Sequence, residues 1–238
     1  MIFEGEYLNG IKFNGKGKEY DFNGNLIFEG EYLNGIRWNG KGKEYDFNGN
    51  LIFEGEYLNG IRWNGKGSEY NNYGKLIFEG EYLNGKRNGI VKEYYYDGKL
   101  MLEGEYLSGI KKGKVKQYYY DGRLMFEGEY LNGLRNGKGK EYNYFDGKLI
   151  FEGEYLNGLR WNGKGKEYDN DGKLKFEGEY LNGLRNGKGK EYYYDGKLIF
   201  EGEYLNGKRN GKGKEYFDGK LILEGEYLNG KRNGIVKE

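Results

Sequence analysis

The chain repeats one pattern of apolar and polar positions along its whole length. The string Glu-Gly-Glu-Tyr occurs ten times, at spacings of 23 to 25 residues. In the second copy, Leu26–Leu33 alternates in a way that puts Phe28 and Tyr32 on one face and Glu29 and Glu31 on the other. Alternation with a period of two predicts a β-strand that is buried on one side only.

Differences in unit length locate the turns. They fall after Leu-Asn-Gly and before Asp-Gly, and insertions are tolerated in turns far better than in paired strands. Asn34-Gly35 is a hairpin-turn dipeptide because both residues accept positive φ. The second strand is then expected over residues 40–45, with a β-bulge near Glu44 that brings Tyr45 back into phase.

The sequence therefore predicts an all-β fold: an elongated, twisted single-sheet solenoid of about ten tandem antiparallel β-hairpins. We expect one repeat domain over residues 1–238. Its units begin near Met1, Leu26, Leu51, Leu76, Leu100, Leu124, Leu149, Leu174, Leu198 and Leu221. A helical fold is excluded because the 46 glycines would each cost about 1 kcal/mol in a helix interior. One hairpin cannot bury its own rings, so stability must come from stacking of neighbours.

Composition narrows the function classes. Lys and Arg total 39 against 38 Asp and Glu, a balance that argues against nucleic-acid binding. The mean hydropathy of −1.00 would suit a disordered chain, but an aromatic content of 18% opposes that reading. The chain has no Cys and no His, which removes the thiolate nucleophile, the commonest general base and the usual zinc ligands. We expect no cofactor, no metal and no catalysis, and a cytoplasmic location with membrane association as the alternative.

The repeat also resembles a known family. Residues 89–99 read Gly-Ile-Val-Lys-Glu-Tyr-Tyr-Tyr-Asp-Gly-Lys, which is similar to the variant form of the MORN (membrane occupation and recognition nexus) repeat. The resemblance covers essentially the whole chain. It implies a β-solenoid that acts as a scaffold or adaptor, is often homodimeric and in some members has phospholipid affinity. Where such proteins are enzymes, catalysis resides in a separate domain.

The template strands offer only weak candidates for chemistry. Glu29 and Glu31 share a face as a catalytic carboxylate pair would, but the pair recurs in every unit. We expect a solvated ladder with Lys41 and Lys43 across the hairpin. The Gly-Lys-Gly-Lys segment lacks the strand-to-helix context of a phosphate loop. Residues 169–172 resemble the start of a calcium loop, although Asx-turn chemistry explains them better.

Aromatic residues inserted after Leu-Asn-Gly are the main irregularity. Arg and Trp are typical of binding hot spots, and Trp also favours membrane interfaces. The candidate partner-binding edge comprises Phe13, Arg37, Trp38, Arg62, Trp63, Arg160 and Trp161. The alternative is that each Trp folds back over its own hairpin.

Two function hypotheses follow, and a third is weaker. The first is a non-enzymatic scaffold that binds a protein partner and self-associates as a homodimer or end to end. The second is an adaptor on anionic membranes, held by the basic turn tips Lys86-Arg87, Lys208-Arg209 and Lys231-Arg232. The third, an enzyme, would need a locally distinct constellation, whereas nearly every catalytic residue type here belongs to the repeat template.

Overall fold

The computed structural model describes residues 2–45 and 51–237, and every regular element in them is a β-strand. The chain divides into two compact units, residues 1–122 and 123–238. The first unit contains β1 (Ile2–Leu8), β2 (Ile11–Tyr20), β3 (Leu26–Leu33), β4 (Ile36–Tyr45), β5 (Leu51–Leu58), β6 (Ile61–Tyr70), β7 (Leu76–Leu83), β8 (Lys86–Tyr94), β9 (Leu100–Leu107) and β10 (Ile110–Tyr118). The second contains β11 (Leu124–Leu131), β12 (Leu134–Tyr142), β13 (Leu149–Leu156), β14 (Leu159–Tyr168), β15 (Leu174–Leu181), β16 (Leu184–Tyr192), β17 (Leu198–Leu205), β18 (Lys208–Phe217), β19 (Lys220–Leu228) and β20 (Lys231–Lys237).

Within each unit the strands form antiparallel hairpins, which confirms the predicted fold class. Strand β3, for example, pairs antiparallel with both β2 and β4. At its end Asn34 has φ 51° and Gly35 has φ 79°, the positive values that a two-residue hairpin turn needs. The odd-numbered strands from β3 to β17 begin at the predicted unit starts. Strand β19 begins one residue early, at Lys220.

The second strand of each hairpin is longer than the sequence predicted. Strand β4 begins at Ile36, so Trp38 lies in a strand, and its assignment to a turn was wrong. Glu31 pairs with Asn39 and Tyr32 with Arg37, which leaves Trp38 as an extra residue. A β-bulge accommodates one extra residue while the ladder continues on both sides, so an insertion need not lie in a turn.

Hairpins with and without the inserted aromatic residue pair in different registers. Phe28 pairs with Gly42 in β3–β4, whereas Phe126 pairs with Glu141 in β11–β12, two residues further along the motif. Because the shift is an even number of residues, every side chain keeps its face. The four hairpins with the insertion, β1–β2, β3–β4, β5–β6 and β13–β14, share the first register.

A second irregularity joins each hairpin to the next. Glu44 pairs with Phe53 and Tyr45 with Leu51, so Ile52 is the extra residue. The predicted bulge near Glu44 is therefore confirmed, with the extra residue on the opposing strand.

The core is a layer of Phe rings that lie on glycine backbone. Phe28 is fully buried, and a Cβ placed on Gly42 would lie 2.6 Å from its ring and 3.1 Å from the ring of Tyr57. The centroid of Phe28 lies 5.4 Å from that of Tyr32 and 5.5 Å from that of Tyr57, both edge to face. Such pairs contribute about 0.5–1.5 kcal/mol beyond the buried area. Since Tyr57 belongs to the next hairpin, the core holds neighbouring hairpins together.

Residue volumes in the core compensate one another. Val91 and Val115 replace the template glycine in β8 and β10, and Leu102 replaces Phe in β9, with all three side chains buried. In hairpin β9–β10 the smaller Leu102 accompanies Val115, the kind of volume-conserving combination that a close-packed core tolerates best, whereas Val91 lies in a hairpin that keeps Phe78.

Candidate interaction surfaces

An arginine covers the outer side of each core Phe ring. The guanidinium carbon of Arg37 lies 5.0 Å from the centroid of Phe28, and that of Arg62 lies 4.9 Å from the centroid of Phe53. Both distances are within the range of cation–π contacts. The same contact recurs at Arg87, Arg135, Arg160, Arg185 and Arg209.

Each of these arginines also reaches the glutamate of a Lys-Glu-Tyr or Ser-Glu-Tyr segment, which in most cases belongs to the preceding hairpin. Arg62 Nη2 donates to Glu44 Oε2 at 2.6 Å, and the Tyr57 hydroxyl donates to the other oxygen of the same carboxylate. Because Glu44 precedes the hairpin that carries Tyr57 and Arg62, this Arg–Glu–Tyr cluster joins two hairpins. Equivalent clusters centre on Glu69, Glu141, Glu167, Glu191 and Glu215.

The clusters favour an ionised glutamate and a protonated tyrosine. Burial by itself would raise the pKa of Glu44, but the hydrogen bonds from Arg62 and Tyr57 and the guanidinium charge outweigh it and lower that pKa. The pKa of Tyr82 is raised to about 12, mainly because its hydroxyl is buried and secondly because it donates to Glu69. The aromatic face is thus covered by ionised and hydrogen-bonded groups of the chain itself.

The arginines of the predicted partner-binding edge belong to these clusters. Arg37, Arg62 and Arg160 each pair with the glutamate of the preceding hairpin, at 2.7, 2.6 and 2.8 Å. The glutamates themselves were missed by sequence reasoning. The available signal was a Glu at the same place in nearly every unit, in phase with the glycines of its strand and therefore on the aromatic face.

The inserted aromatic residues lie against the following hairpin. Phe13, Trp38, Trp63 and Trp161 are half-buried. A Cβ on Gly60 would lie 3.6 Å from the indole of Trp38, and the Gly60 N–H donates to the Trp38 carbonyl at 2.9 Å. The arrangement recurs for Trp63 with Gly85 and for Trp161 with Gly183.

The asparagine after each Trp completes the junction. Asn39 Oδ1 accepts from the Asn59 N–H at 2.9 Å, and Asn39 Nδ2 donates to Glu31 at 3.3 Å. We call Trp38-Asn39, Trp63-Asn64 and Trp161-Asn162 the turn clamps, because each holds the next Asn-Gly turn by two hydrogen bonds and a ring.

Aliphatic side chains beside the Asn-Gly turns remain exposed. Leu33 pairs with Ile36 across the turn, and Ile36 and Ile61 are 54% and 51% exposed. Further exposed members are Leu8, Ile11, Leu83, Leu107 and Ile110 in the first unit and Leu131, Leu134, Leu156, Leu159, Leu181, Leu184, Leu205 and Leu228 in the second. We call this set, with Ile36 and Ile61, the hairpin edge.

The face opposite the Phe rings carries the predicted Glu–Lys ladder. Glu29 lies opposite Lys41 as expected, but Lys43 lies opposite Glu54 of the next hairpin, not opposite its own. The Lys43 Nζ to Glu54 Oε1 distance is 3.1 Å, with both side chains well exposed. Such pairs contribute about 0–1 kcal/mol each, so the ladder is a solvated surface.

In the second unit this face forms an open groove of about 640 Å³, lined by repeated template residues such as Lys166, Glu177, Lys190 and Glu201. The described residues contain no group of three or more acidic side chains that could hold a metal ion. Asp169 Oδ1 accepts from the backbone N–H of Asp171, at 3.0 Å, and from that of Lys173, at 2.9 Å, which makes this segment an Asx turn.

The basic turn tips are only half available. Lys86 is exposed, but Arg87 pairs with Glu69 at 2.8 Å and with Glu93 at 2.9 Å. Arg209 and Arg232 are likewise held by glutamates. No helix long and apolar enough to cross a membrane occurs in residues 2–45 and 51–237.

Two family models match most of the chain. The MORN repeat model matches residues 126–143, 176–197, 200–220 and 224–235. The MORN repeat variant model matches residues 13–34, 38–59, 87–107, 111–132 and 161–182. The chain belongs to the MORN repeat family. Its first unit matches only the variant form, in agreement with the resemblance drawn from residues 89–99. MORN repeats are generally associated with protein or membrane interaction.

No curated protein matches this MORN chain. Among solved structures, it is similar to TcdB2-TccC3 without its hypervariable C-terminal region, at 14% identity and a TM-score of 0.26. It is also similar to TcdB2-TccC3-Cdc42, at 14% identity and a TM-score of 0.27. The match covers 90% and 92% of the MORN chain but only 13% and 14% of those chains. Similarities at this level establish no relation in function.

Proposed function

We propose that this MORN repeat protein is a non-enzymatic scaffold that binds a protein partner, including a second copy of itself, through its hairpin edge. The observation that carries the proposal is the difference between the two apolar regions of each hairpin. The Phe rings are already covered by Arg–Glu–Tyr clusters, whereas the aliphatic side chains at the hairpin edge remain 38% to 70% exposed, even where Ile36 and Ile61 touch the following Asn-Gly turns. Within each unit these side chains recur at the same strand ends of successive hairpins, and exposed apolar surface of this kind marks interaction sites.

The hairpin edge lies beside the predicted partner-binding residues but differs from them in chemistry. We expect Ile36 and Ile61 to contact the partner in place of Arg37 and Arg62, because both arginines are already paired with glutamates of this chain. The half-buried Trp rings between them supply fixed aromatic surface, which suits hot-spot contacts.

Catalysis is not supported by the arrangement of polar groups. The candidate acids and bases of the ladder recur in nearly every hairpin. They pair with a Lys of a neighbouring strand, as Glu54 does, or with the side-chain amide of an Asn, as Glu31 does. An active site requires groups whose environments drive their pKa values apart, whereas repetition gives these groups the same environment.

Sedimentation velocity over a range of protein concentrations tests the proposal. Wild-type protein is expected to self-associate, and the double variant Ile36→Asp, Ile61→Asp to lose association at an unchanged melting temperature. The matched control is Tyr96→Asp, at a side chain 62% exposed in the loops at the opposite strand ends, and it should associate like wild type. A wild type that stays monomeric at every concentration removes self-association, and the alternative membrane role requires flotation with anionic vesicles at low salt.

A further inference from the structure

The chain contains 20 Asn-Gly dipeptides, the sequence in which asparagine is chemically least durable. The glycine backbone nitrogen attacks the asparagine Cγ, a C–N bond forms, and the side-chain nitrogen leaves as ammonia while the attacking amide loses its proton to solvent. Water then opens the succinimide at either carbonyl and leaves aspartate or isoaspartate. Glycine favours the first step because it has no side chain to hinder the attacking nitrogen.

The turn clamps restrain this reaction in three hairpin turns. The N–H groups of Asn59, Asn84 and Asn182 donate to clamp asparagines at 2.9, 3.0 and 3.0 Å. The glycine that follows each of them donates its N–H to the clamp Trp carbonyl, at 2.8 to 2.9 Å. Attack requires that this second N–H be freed, so the clamp must open first.

Turns that follow hairpins without an inserted Trp are held less closely. At Asn229 the N–H still donates to Asn210 Oδ1, but at 3.3 Å, and the turns at Asn157 and Asn206 differ further. Gly158 and Gly207 still donate their N–H groups to the carbonyls of Arg135 and Arg185, at 2.9 Å. Among the described residues, however, no side chain accepts from the N–H of the asparagines before them. A Cβ on Gly207 would meet nothing within 4 Å, and one on Gly158 would meet only a methyl group of Leu134 at 3.9 Å.

Backbone conformation does not distinguish the two sets of turns. Asn157 and Asn206, in the unclamped turns, have φ of 50° and 51°, and Asn182, in a clamped turn, has φ of 53°. The contrast therefore resides in the hydrogen bond and the ring that the preceding hairpin supplies.

We propose that Asn157-Gly158 and Asn206-Gly207 are sites of spontaneous deamidation and isomerisation in the folded protein, and that the turn clamps protect the turns at Asn59, Asn84 and Asn182. Isoaspartate adds a backbone atom to a two-residue turn whose geometry fixes the hairpin register. It also places a negative charge on the hairpin edge. The modification would therefore act on the surface that we assign to partner binding, although its chemistry does not depend on that assignment.

Peptide mapping by mass spectrometry tests the proposal on the full chain. Folded protein is incubated at mildly alkaline pH, and the deamidation rate at each site is divided by the rate at the same site in the urea-unfolded chain. Opening an unclamped turn breaks one hydrogen bond fewer than opening a clamped turn. We therefore expect normalised rates at Asn157 and Asn206 to be roughly threefold to tenfold above those at Asn59, Asn84 and Asn182. Equal rates in the two sets, or faster reaction in the clamped set, would overturn the proposal.

Variants of one clamp identify its parts. Deletion of Trp161 turns Leu159–Tyr168 into the sequence of Leu134–Tyr142, which is a hairpin strand native to this chain, and should raise the rate at Asn182 to that at Asn206. Asn162→Ala should also raise it, whereas Asn162→Asp keeps an acceptor oxygen and should not. The rate at Asn84 serves as the internal control. If the rate at Asn182 stays low in both the deletion and Asn162→Ala, the clamp is not the cause of protection.

Discussion

Substitution of Glu191 by Ala is the sharpest test of how the hairpins are held together. Glu191 accepts from the Tyr204 hydroxyl at 2.7 Å and from Arg209 Nη2 at 2.5 Å. The Glu191 and Arg209 side chains are only 22% and 23% exposed, so water can replace the carboxylate only in part. A buried donor that loses its partner costs about 1–3 kcal/mol, and two donors lose theirs here. We expect a loss of about 2–4 kcal/mol in the free energy of unfolding.

Urea denaturation followed by circular dichroism measures this loss, and the same hairpins offer a matched control. Glu201 pairs with Lys190 at 3.8 Å on the ladder face, with 47% of its side chain exposed. Glu201→Ala should cost about 0–1 kcal/mol. Similar losses in the two variants would refute the claim that the Arg–Glu–Tyr clusters, rather than the ladder, join the hairpins.

Three further predictions concern packing and pH. Gly189→Val should destabilise the protein by about 1–3 kcal/mol, because even a Cβ at residue 189 would lie 2.7 Å from the Phe176 ring. Adding Phe176→Leu should recover part of that loss in urea denaturation. No recovery would contradict this account of the packing. The folded-state pKa of Glu191 is lowered. Its contribution to stability is therefore present above the unfolded-state pKa of ~4.3 and is lost as pH falls through the folded-state pKa. The melting temperature should drop in acid for wild type and drop less for Glu191→Gln. The folded-state pKa values of Tyr82 and Tyr227 are raised to about 12. Their contribution to stability is therefore present below pH ~10 and is lost as pH rises toward about 12. Tyrosinate absorbance and the loss of the circular dichroism signal should rise together over this range. Phenolate formation that is complete below this range would contradict the prediction.

The sequence predicts strands and turns here because hydrophobic alternation and turn dipeptides are local signals. Phe28 and Tyr32 share the buried face as their spacing requires, and Asn34-Gly35 forms the turn. The bulge near Glu44 was also foreseen, because one aromatic residue fell out of phase with its strand.

The Arg–Glu–Tyr clusters were beyond the reach of local patterns. Arg37 and Glu19 are 18 residues apart, so their contact depends on the register of three strands. That register is set by bulges, and the alternation of a single strand does not reveal them. The place of Trp38 was missed for the same reason, since an insertion looks alike in sequence whether a turn or a bulge accommodates it.

The covering of the aromatic face changes which surface is expected to bind. From sequence, one face of nearly every first strand carries Phe and Tyr rings that a single hairpin cannot bury. In the structure Phe28 and its equivalents are fully covered by Tyr and Arg side chains of the same chain. The exposed apolar surface is thereby displaced to the hairpin edge, which is where the proposed function places the partner.

Hydrogen–deuterium exchange at protein concentrations below and above self-association tests that placement most directly. Peptides spanning the Asn-Gly turns, such as those containing Ile36 and Ile61, should gain protection on association. Peptides from the loops at the opposite strand ends, such as the one containing Tyr96, should exchange as before. Protection confined to those loops or to the Glu–Lys ladder, with none at the turns, would contradict the claim that the hairpin edge is the binding surface.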